Sequence, residues 1–179
     1  MTDYNHKIID NALPEEIFSE IEYFFKEQCL WNFNSIIASD GDSGERPEQF
    51  PYFMLVHTIY NFRPWLGDAG LDINPQSYNL VKSVFDYLEP KPKAIARIKA
   101  NLYPNQNEFV YHNEHRDYKE PHRGAILYIN TNNGFTVLED GTKIESIRNR
   151  LLLFDSSQKH RSTNCTDDWG RLIINFNYF

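Results

Sequence analysis

The chain of 179 residues is long enough for one full-sized core and short for two. Its hydrophobic content of 41% and aromatic content of 15% describe an aromatic-rich globular protein, and no apolar run approaches the roughly 20 residues that span a bilayer. A formal net charge of -7 weighs against a general nucleic-acid binder, which usually shows a basic face.

The charge is uneven along the chain. Residues 1–95 carry 7 Lys/Arg against 15 Asp/Glu, whereas residues 96–179 carry 11 against 10 and hold four of the six His. A mildly basic pocket in the second half suits an anionic small molecule. The segment Met1–His6 lacks the basic-then-apolar pattern of a signal peptide. Cys29 and Cys165 do not make a disulfide framework. A cytosolic setting is expected.

In chain order, the first helix is predicted from Leu13-Pro14-Glu15-Glu16 through about Lys26. Asn11 is its candidate cap, Pro14 suits the first turn, and acids sit near the positive end. Ile17, Ile21, Phe24 and Phe25 recur at helical spacing and should pack on a sheet. Trp31–Ala38 and Phe53–Tyr60 read as strands. The polar, Gly-containing stretch Ser39–Pro47 between them reads as a loop, with a mobile lid over a site as the functional alternative. A second helix is predicted from Pro75 to Leu88, with Leu80, Val81, Val84, Phe85 and Leu88 on one face and Pro90 as its stop.

From Ala94 onward the signals are strand and turn. Strands are predicted at 94–103, 109–115, 123–130, 135–139, 142–147, 150–155, 160–163 and 171–178. Asp140-Gly141 marks a hairpin, and Asn132-Asn133-Gly134 marks another turn. The expected fold is mainly β with N-terminal helices: a jelly roll, the class that includes the cupin-like double-stranded β-helix. The expected organisation is a single domain over 1–179. Residues 1–93 form a helical cover with supporting strands, and residues 94–179 form the core that carries the site.

Four polar residues of that core carry chemistry. His115 and Asp117 form an H-x-D step, His160 follows more than forty residues later, and Arg171 lies eleven residues beyond. Two imidazoles and a carboxylate can occupy one face of a ferrous ion and leave the other open. Arg171 could hold a carboxylate by a two-pronged ion pair. The H-x-[DE] step alone proves little, since roughly one is expected by chance in a chain of this composition. A second one, His112-Asn113-Glu114, lies directly beside the first as a rival ligand pair. The strand order separates them from chance: the three ligands and Arg171 all fall at strand ends that a jelly roll can bring to one mouth. Arg171 begins a strand whose alternation Leu172, Ile174, Phe176 marks one apolar face. Asn164 or Ser162 could orient the ligand imidazoles.

The run from His115 to Asn130 resembles the core of Fe(II)/2-oxoglutarate-dependent dioxygenases, closest to the prolyl-4-hydroxylase-like branch and its short phage-type members. The H-x-D pair is followed by a strand ending in Tyr128-Ile129-Asn130. Next come Gly134-Phe135-Thr136, the apolar strand Leu151–Phe154 with Asp155-Ser156-Ser157, then His160, and Arg171 within Arg-Leu-Ile-Ile-Asn-Phe. The resemblance covers about residues 95–179. It implies Fe(II) held by His115, Asp117 and His160, and 2-oxoglutarate held by Arg171 and Tyr128. Tyr103, and more weakly Asn101, would lie near the iron-binding end of that co-substrate, and His122 is a candidate for substrate contact. It further implies O2 as co-substrate, ascorbate as a possible accessory, and succinate and CO2 as products of a C–H hydroxylation. A peptidyl proline is the first substrate expected; a nucleobase or free amino acid is the alternative. The resemblance also implies a host cytoplasm if the chain is phage-encoded. Readings from other classes are a non-catalytic jelly-roll binding or structural protein, and a cupin-type metal enzyme without 2-oxoglutarate. Arg171 with Tyr128 discriminates against both.

Overall fold

The computed structural model describes residues 6–37, 52–63, 66–67 and 70–179. Its chain order is β1 (His6–Ile9), α1 (Glu15–Tyr23), β2 (Asn32–Asn34), β3 (Met54–Phe62), β4 (Leu71–Ile73), α2 (Pro75–Val81), β5 (Ile95–Pro104), β6 (Arg123–Tyr128), β7 (Asn132–Leu138), β8 (Lys143–Ser146), β9 (Arg150–Asp155), β10 (His160–Ser162) and β11 (Gly170–Tyr178). A π-helical turn, Phe24–Gln28, extends α1, and a 3-10 turn, Lys82–Tyr87, extends α2. The large sheet is antiparallel in the order β1-β9-β6-β11-β5-β3-β2, with β4 also paired to β3. The small sheet has the order β10-β7-β8. The two sheets face each other as a double-stranded β-helix, the jelly roll expected from the strand count.

Strand periodicity gives the large sheet two distinct faces. Ile98, Ala100 and Leu102 of β5, Ala125 and Leu127 of β6, Leu151 and Leu153 of β9, and Leu172, Ile174 and Phe176 of β11 share one core cluster with the helical residues Phe18, Ile21, Phe24, Phe25, Val81, Val84 and Leu88. The helices therefore cover the outer face. Tyr103, Ile126, Tyr128, Leu152, Phe154 and Ile173 lie on the inner face, with Ile144 of the small sheet. Along β5 and β11 that inner face is also where the polar residues fall: Arg97, Lys99, Asn101 and Tyr103, and Arg171, Asn175 and Asn177. One face of each strand closes the core, and the other presents chemistry.

Several local expectations are revised. Asn11 does not cap α1: it sits in a left-handed conformation (φ 49°), and Pro14 holds the cap position without a side-chain bond. Asn149 secures this entrance instead. Its Oδ1 accepts from Leu13 N (3.0 Å) and its Nδ2 donates to Leu13 O (2.8 Å). Ile17 is exposed, because the apolar stripe of the short helix is narrower than its spacing implied. Asn132-Asn133-Gly134 is not a turn but the irregular start of β7, where the register with β8 shifts. The expected strand 109–115 forms only isolated bridges, Tyr111 with Thr163 and His115 with His160. The side chain of Asn164 explains the break, because it takes Val110 N (2.8 Å) and Glu108 O (2.7 Å) out of any ladder. β1 was not expected; it pairs with β9 in the large sheet. The Ser39–Pro47 loop and Ala38 lie outside the described residues. Cys29 and Cys165 are free thiols. No helix among the described residues is long and apolar enough to cross a membrane.

The two isoleucines of α1 test this packing. Ile21→Ala should lower unfolding free energy by about 2–5 kcal/mol, whereas Ile17→Ala should change it by less than about 1 kcal/mol, as read by urea denaturation.

Candidate active site

His115 and His160 are cross-strand neighbours. His115 N donates to His160 O (2.9 Å), and His160 N donates to His115 O (3.0 Å). This reciprocal pair sets the two side chains on the same face. Their ring centroids are 4.6 Å apart at 50°. Each Nδ1 faces a backbone carbonyl two residues back, Asn113 O at 3.3 Å and Gln158 O at 3.1 Å. Those contacts favour Nδ1–H and leave both Nε2 lone pairs directed elsewhere. They also correct the expected orienting role of Asn164 and Ser162: the carbonyls turn the imidazoles. Ser162 instead contacts Nδ1 of His112 (2.8 Å). Burial, and next the neighbouring His160, push His115 down to about 4, so its imidazole is neutral at pH 7.

Asp117 completes the group. The candidate ligand atoms of His115, Asp117 and His160 all lie within 4.8 Å of one another. Donors sharing one face of an ion at about 2.0–2.2 Å lie roughly 3 Å apart, so the three side chains would draw in around a bound metal. Burial alone would raise the Asp117 carboxyl. Arg97, then His160 and His115, and the hydrogen bond from Asn177 outweigh it and hold the group well below the usual carboxylate range. Arg97 Nη2 donates to Oδ1 (2.6 Å), while Ser156 Oγ (2.9 Å) and Asn177 Nδ2 (2.9 Å) donate to Oδ2. These donors fix an ionised carboxylate beside the two imidazoles of His115 and His160, a donor set that fits Fe(II). The rival pair fails. His112 is buried against Tyr103 with ring centroids 4.8 Å apart, its pKa pushed to about 3 by burial and by Arg171, and Glu114 is outside the metal-capable group.

Arg171 is fully buried. Its Nε donates to Ser146 Oγ (2.7 Å), its Nη2 to Thr136 Oγ1 (2.8 Å) and its Nη1 to Thr163 O (3.3 Å). All of these acceptors are neutral. No carboxylate among the described residues pairs with it. The guanidinium lies near the rings of Tyr128 (5.5 Å to the centroid) and Tyr103 (5.7 Å). Tyr128 OH donates to the same Thr136 Oγ1 (2.9 Å). A buried cation without a counter-ion is costly, and a dicarboxylate fits the missing partner.

The local sequence builds this seat. Asn130 accepts from Leu172 N (2.9 Å) and donates to Gly170 O (2.8 Å), tying the end of β6 to the start of β11. A Cβ on Gly134 would meet Asn164 O at 2.5 Å and Arg171 Cδ at 2.6 Å, so only glycine lets the arginine pass.

The structure thus brings together His115, Asp117, His160, and beside them Arg171, Tyr128 and Tyr103. Asn101 lies on the same face; it is buried, and its Oδ1 has no hydrogen-bond partner among the described residues. His122 is not brought to the cavity beside the triad. It packs between Tyr118 (5.2 Å) and Phe179 (6.0 Å). Arg97, Thr136, Ser146, Ser156, Asn175 and Asn177 were missed. The period of two places Arg97 on the strand face of Asn101 and Tyr103, and Asn175 and Asn177 on that of Arg171. Nothing in the sequence marks the hydroxyls.

No family model matches the sequence, and no curated protein matches it significantly. Solved structures do match. A 2OG-Fe(II) oxygenase family oxidoreductase from Burkholderia pseudomallei superposes with a TM-score of 0.68 at 11% identity, covering 98% of this chain and 86% of that one. A viral collagen prolyl hydroxylase from Paramecium Bursaria Chlorella virus-1, solved as a 2OG complex, gives 0.58 at 14% identity, covering 98% and 96%. A Trichoplax adhaerens prolyl hydroxylase, in complex with a hypoxia inducible factor peptide fragment, gives 0.61 at 15% identity, covering 99% and 84%. The chain has the fold of the 2-oxoglutarate/Fe(II) oxygenases, prolyl hydroxylases among them. The likeness extends over the N-terminal half, which the sequence resemblance left out.

If the donors around Asp117 orient it for a metal, Asn177→Ala should weaken Co(II) or Fe(II) binding by about 10–100-fold in anaerobic calorimetry. His115→Ala should abolish stoichiometric binding.

Proposed function

We propose that this protein is an Fe(II)- and 2-oxoglutarate-dependent dioxygenase that hydroxylates a C–H bond, with a prolyl residue of a peptide as the first substrate to test. The observation that carries the reading is the pairing of a metal-capable His-Asp-His group with a buried arginine that lacks a protein counter-ion. A non-catalytic jelly roll requires neither, and a cupin-type metal site does not require the arginine. The Trichoplax neighbour was solved with a peptide, which supports a peptide substrate. The free thiols Cys29 and Cys165 support a reducing, cytoplasmic setting.

His115, Asp117 and His160 would hold the iron, and Arg171 with Tyr128 would hold the distal carboxylate of 2-oxoglutarate. O2 would be the oxidant, used at the iron with 2-oxoglutarate as two-electron co-reductant, so that succinate, CO2 and the hydroxylated substrate are the products. The chain's own part is binding, orientation and exclusion of water. Arg171 offers its charge in a seat already built by Ser146, Thr136 and Thr163, so little ordering is required on binding. Tyr128 OH, 2.9 Å from Thr136 Oγ1, can turn its proton to an incoming carboxylate. Burial raises the Tyr128 and Tyr103 hydroxyls, so both remain protonated donors at neutral pH. Arg97 keeps Asp117 ionised and oriented while the His115 imidazole stays neutral. Tyr103, stacked near His112, walls the chamber between the metal group and Arg171.

Adding Fe(II) and 2-oxoglutarate to the protein under argon should produce the visible charge-transfer band of the chelate. His115→Ala should abolish it. A folded wild type without the band, or a band that survives His115→Ala, contradicts the proposal.

A further inference from the structure

On the inner face of β5, Lys99 lies two residues toward the strand start from Asn101 and four from Tyr103. It is registered opposite Asn175, whereas Tyr103 is opposite Arg171. Lys99 therefore belongs to the end of the chamber away from the arginine seat. There a cavity of about 330 Å³ is lined by His115 and Asp117 together with Lys99, Arg116, Ile36 and Met54.

The charges in this cavity do not balance. Among the described residues its one lining carboxylate is Asp117, already committed to Arg97 and to the metal group. Arg116 is exposed at the surface. Lys99 is half-buried in the cavity wall and makes no hydrogen bond or ion pair among the described residues. Burial, and next the charge of Arg97, lower its pKa to about 8, which leaves most of it protonated at neutral pH. A half-buried ammonium without an acceptor gives up part of its hydration with nothing in return. A residue such as leucine would serve the β5 packing better. The cost makes sense if an acceptor arrives with a ligand.

Resting on the oxygenase reading, we propose that the substrate carries a carboxylate close to the C–H bond that is oxidised, and that Lys99 holds it. The cavity offers one half-buried ammonium beside the apolar side chains of Ile36, Ile37 and Met54, because Arg97, which also lines it, is held by Asp117 and Arg116 is exposed. That suits a singly charged, partly apolar group. A phosphate brings nearly two charges and asks for more donors. The carboxylate can come from an acidic side chain next to the target residue of a peptide, or from the main-chain carboxylate of a free amino acid or chain end.

The test is calorimetric binding under argon to the full chain loaded with Fe(II) and 2-oxoglutarate. Blocked proline peptides with Asp or Glu beside the proline are compared with their Asn and Gln isosteres, with a peptide ending in a free carboxylate, with N-acetylated amino acids and with a phosphoserine peptide. The wild type should favour one or more carboxylates by about tenfold or more over the neutral isostere. The arms that show the preference identify its source. Lys99→Met should erase the preference and leave the neutral isostere unchanged, while Lys99→Arg should retain part of it. The charge-transfer band, measured on each variant, reports whether the metal site is intact. Equal binding of acid and amide, no binding of any carboxylate, a stronger phosphoserine arm, or a preference that survives Lys99→Met in a band-positive protein overturns the inference alone. Absence of the band in wild type overturns the oxygenase reading beneath it.

Discussion

The interior of this protein is organised around a guanidinium that the fold buries without neutralising. Arg171 donates to two hydroxyls and a carbonyl, and no carboxylate among the described residues approaches it. Stability does not explain such an arrangement, because a buried cation gains only part of its hydration back from neutral acceptors. The surrounding sequence nevertheless serves it. Gly134 is small so that the arginine can pass, Asn130 fixes where β11 begins, and Thr136 shares its oxygen between Arg171 and Tyr128. The missing charge is the most direct sign that a dianionic small molecule belongs in the chamber.

The metal group follows a complementary logic. Two imidazoles are set side by side by a reciprocal backbone pair, and backbone carbonyls hold their Nδ1 atoms. The carboxylate is kept ionised by Arg97 and by amide and hydroxyl donors. Beyond it, toward the start of β5, cationic groups return with Lys99 and Arg116. A chain with a net charge of -7 thus lines this cavity with cationic side chains, Lys99 half-buried and Arg116 at its exposed rim. That contrast favours anions within the chamber more than on the surface.

Much of this was legible in the sequence, because strands alternate with a period of two. Leu172, Ile174 and Phe176 declared the outer face of β11, which placed Arg171 inward and, by the same rule, Asn175 and Asn177. β5 obeys the same rule, yet Arg97 and Lys99 went unread, because charged residues near a strand start look like a solvated edge. Other features carry no local signature. The Ser146, Thr136 and Ser156 hydroxyls acquire roles only when two sheets face each other. The pairing of β1 with β9 spans more than 140 residues, and no short-range pattern announces it. The segment 109–115 looked like a strand because it opens on the aromatic and β-branched run Phe109, Val110 and Tyr111. It lost its ladder to the Asn164 side chain, a contact made 54 residues away.

The central claim is that Arg171 is a seat for the distal carboxylate of 2-oxoglutarate, and anaerobic calorimetry on the Fe(II)-loaded protein tests it most directly. The account predicts that 2-oxoglutarate binds, that 2-oxobutanoate, which lacks the distal carboxylate, binds at least about tenfold more weakly, and that Arg171→Met removes the difference. Equal affinity for the two acids in wild type, or a difference that persists in Arg171→Met, would contradict it.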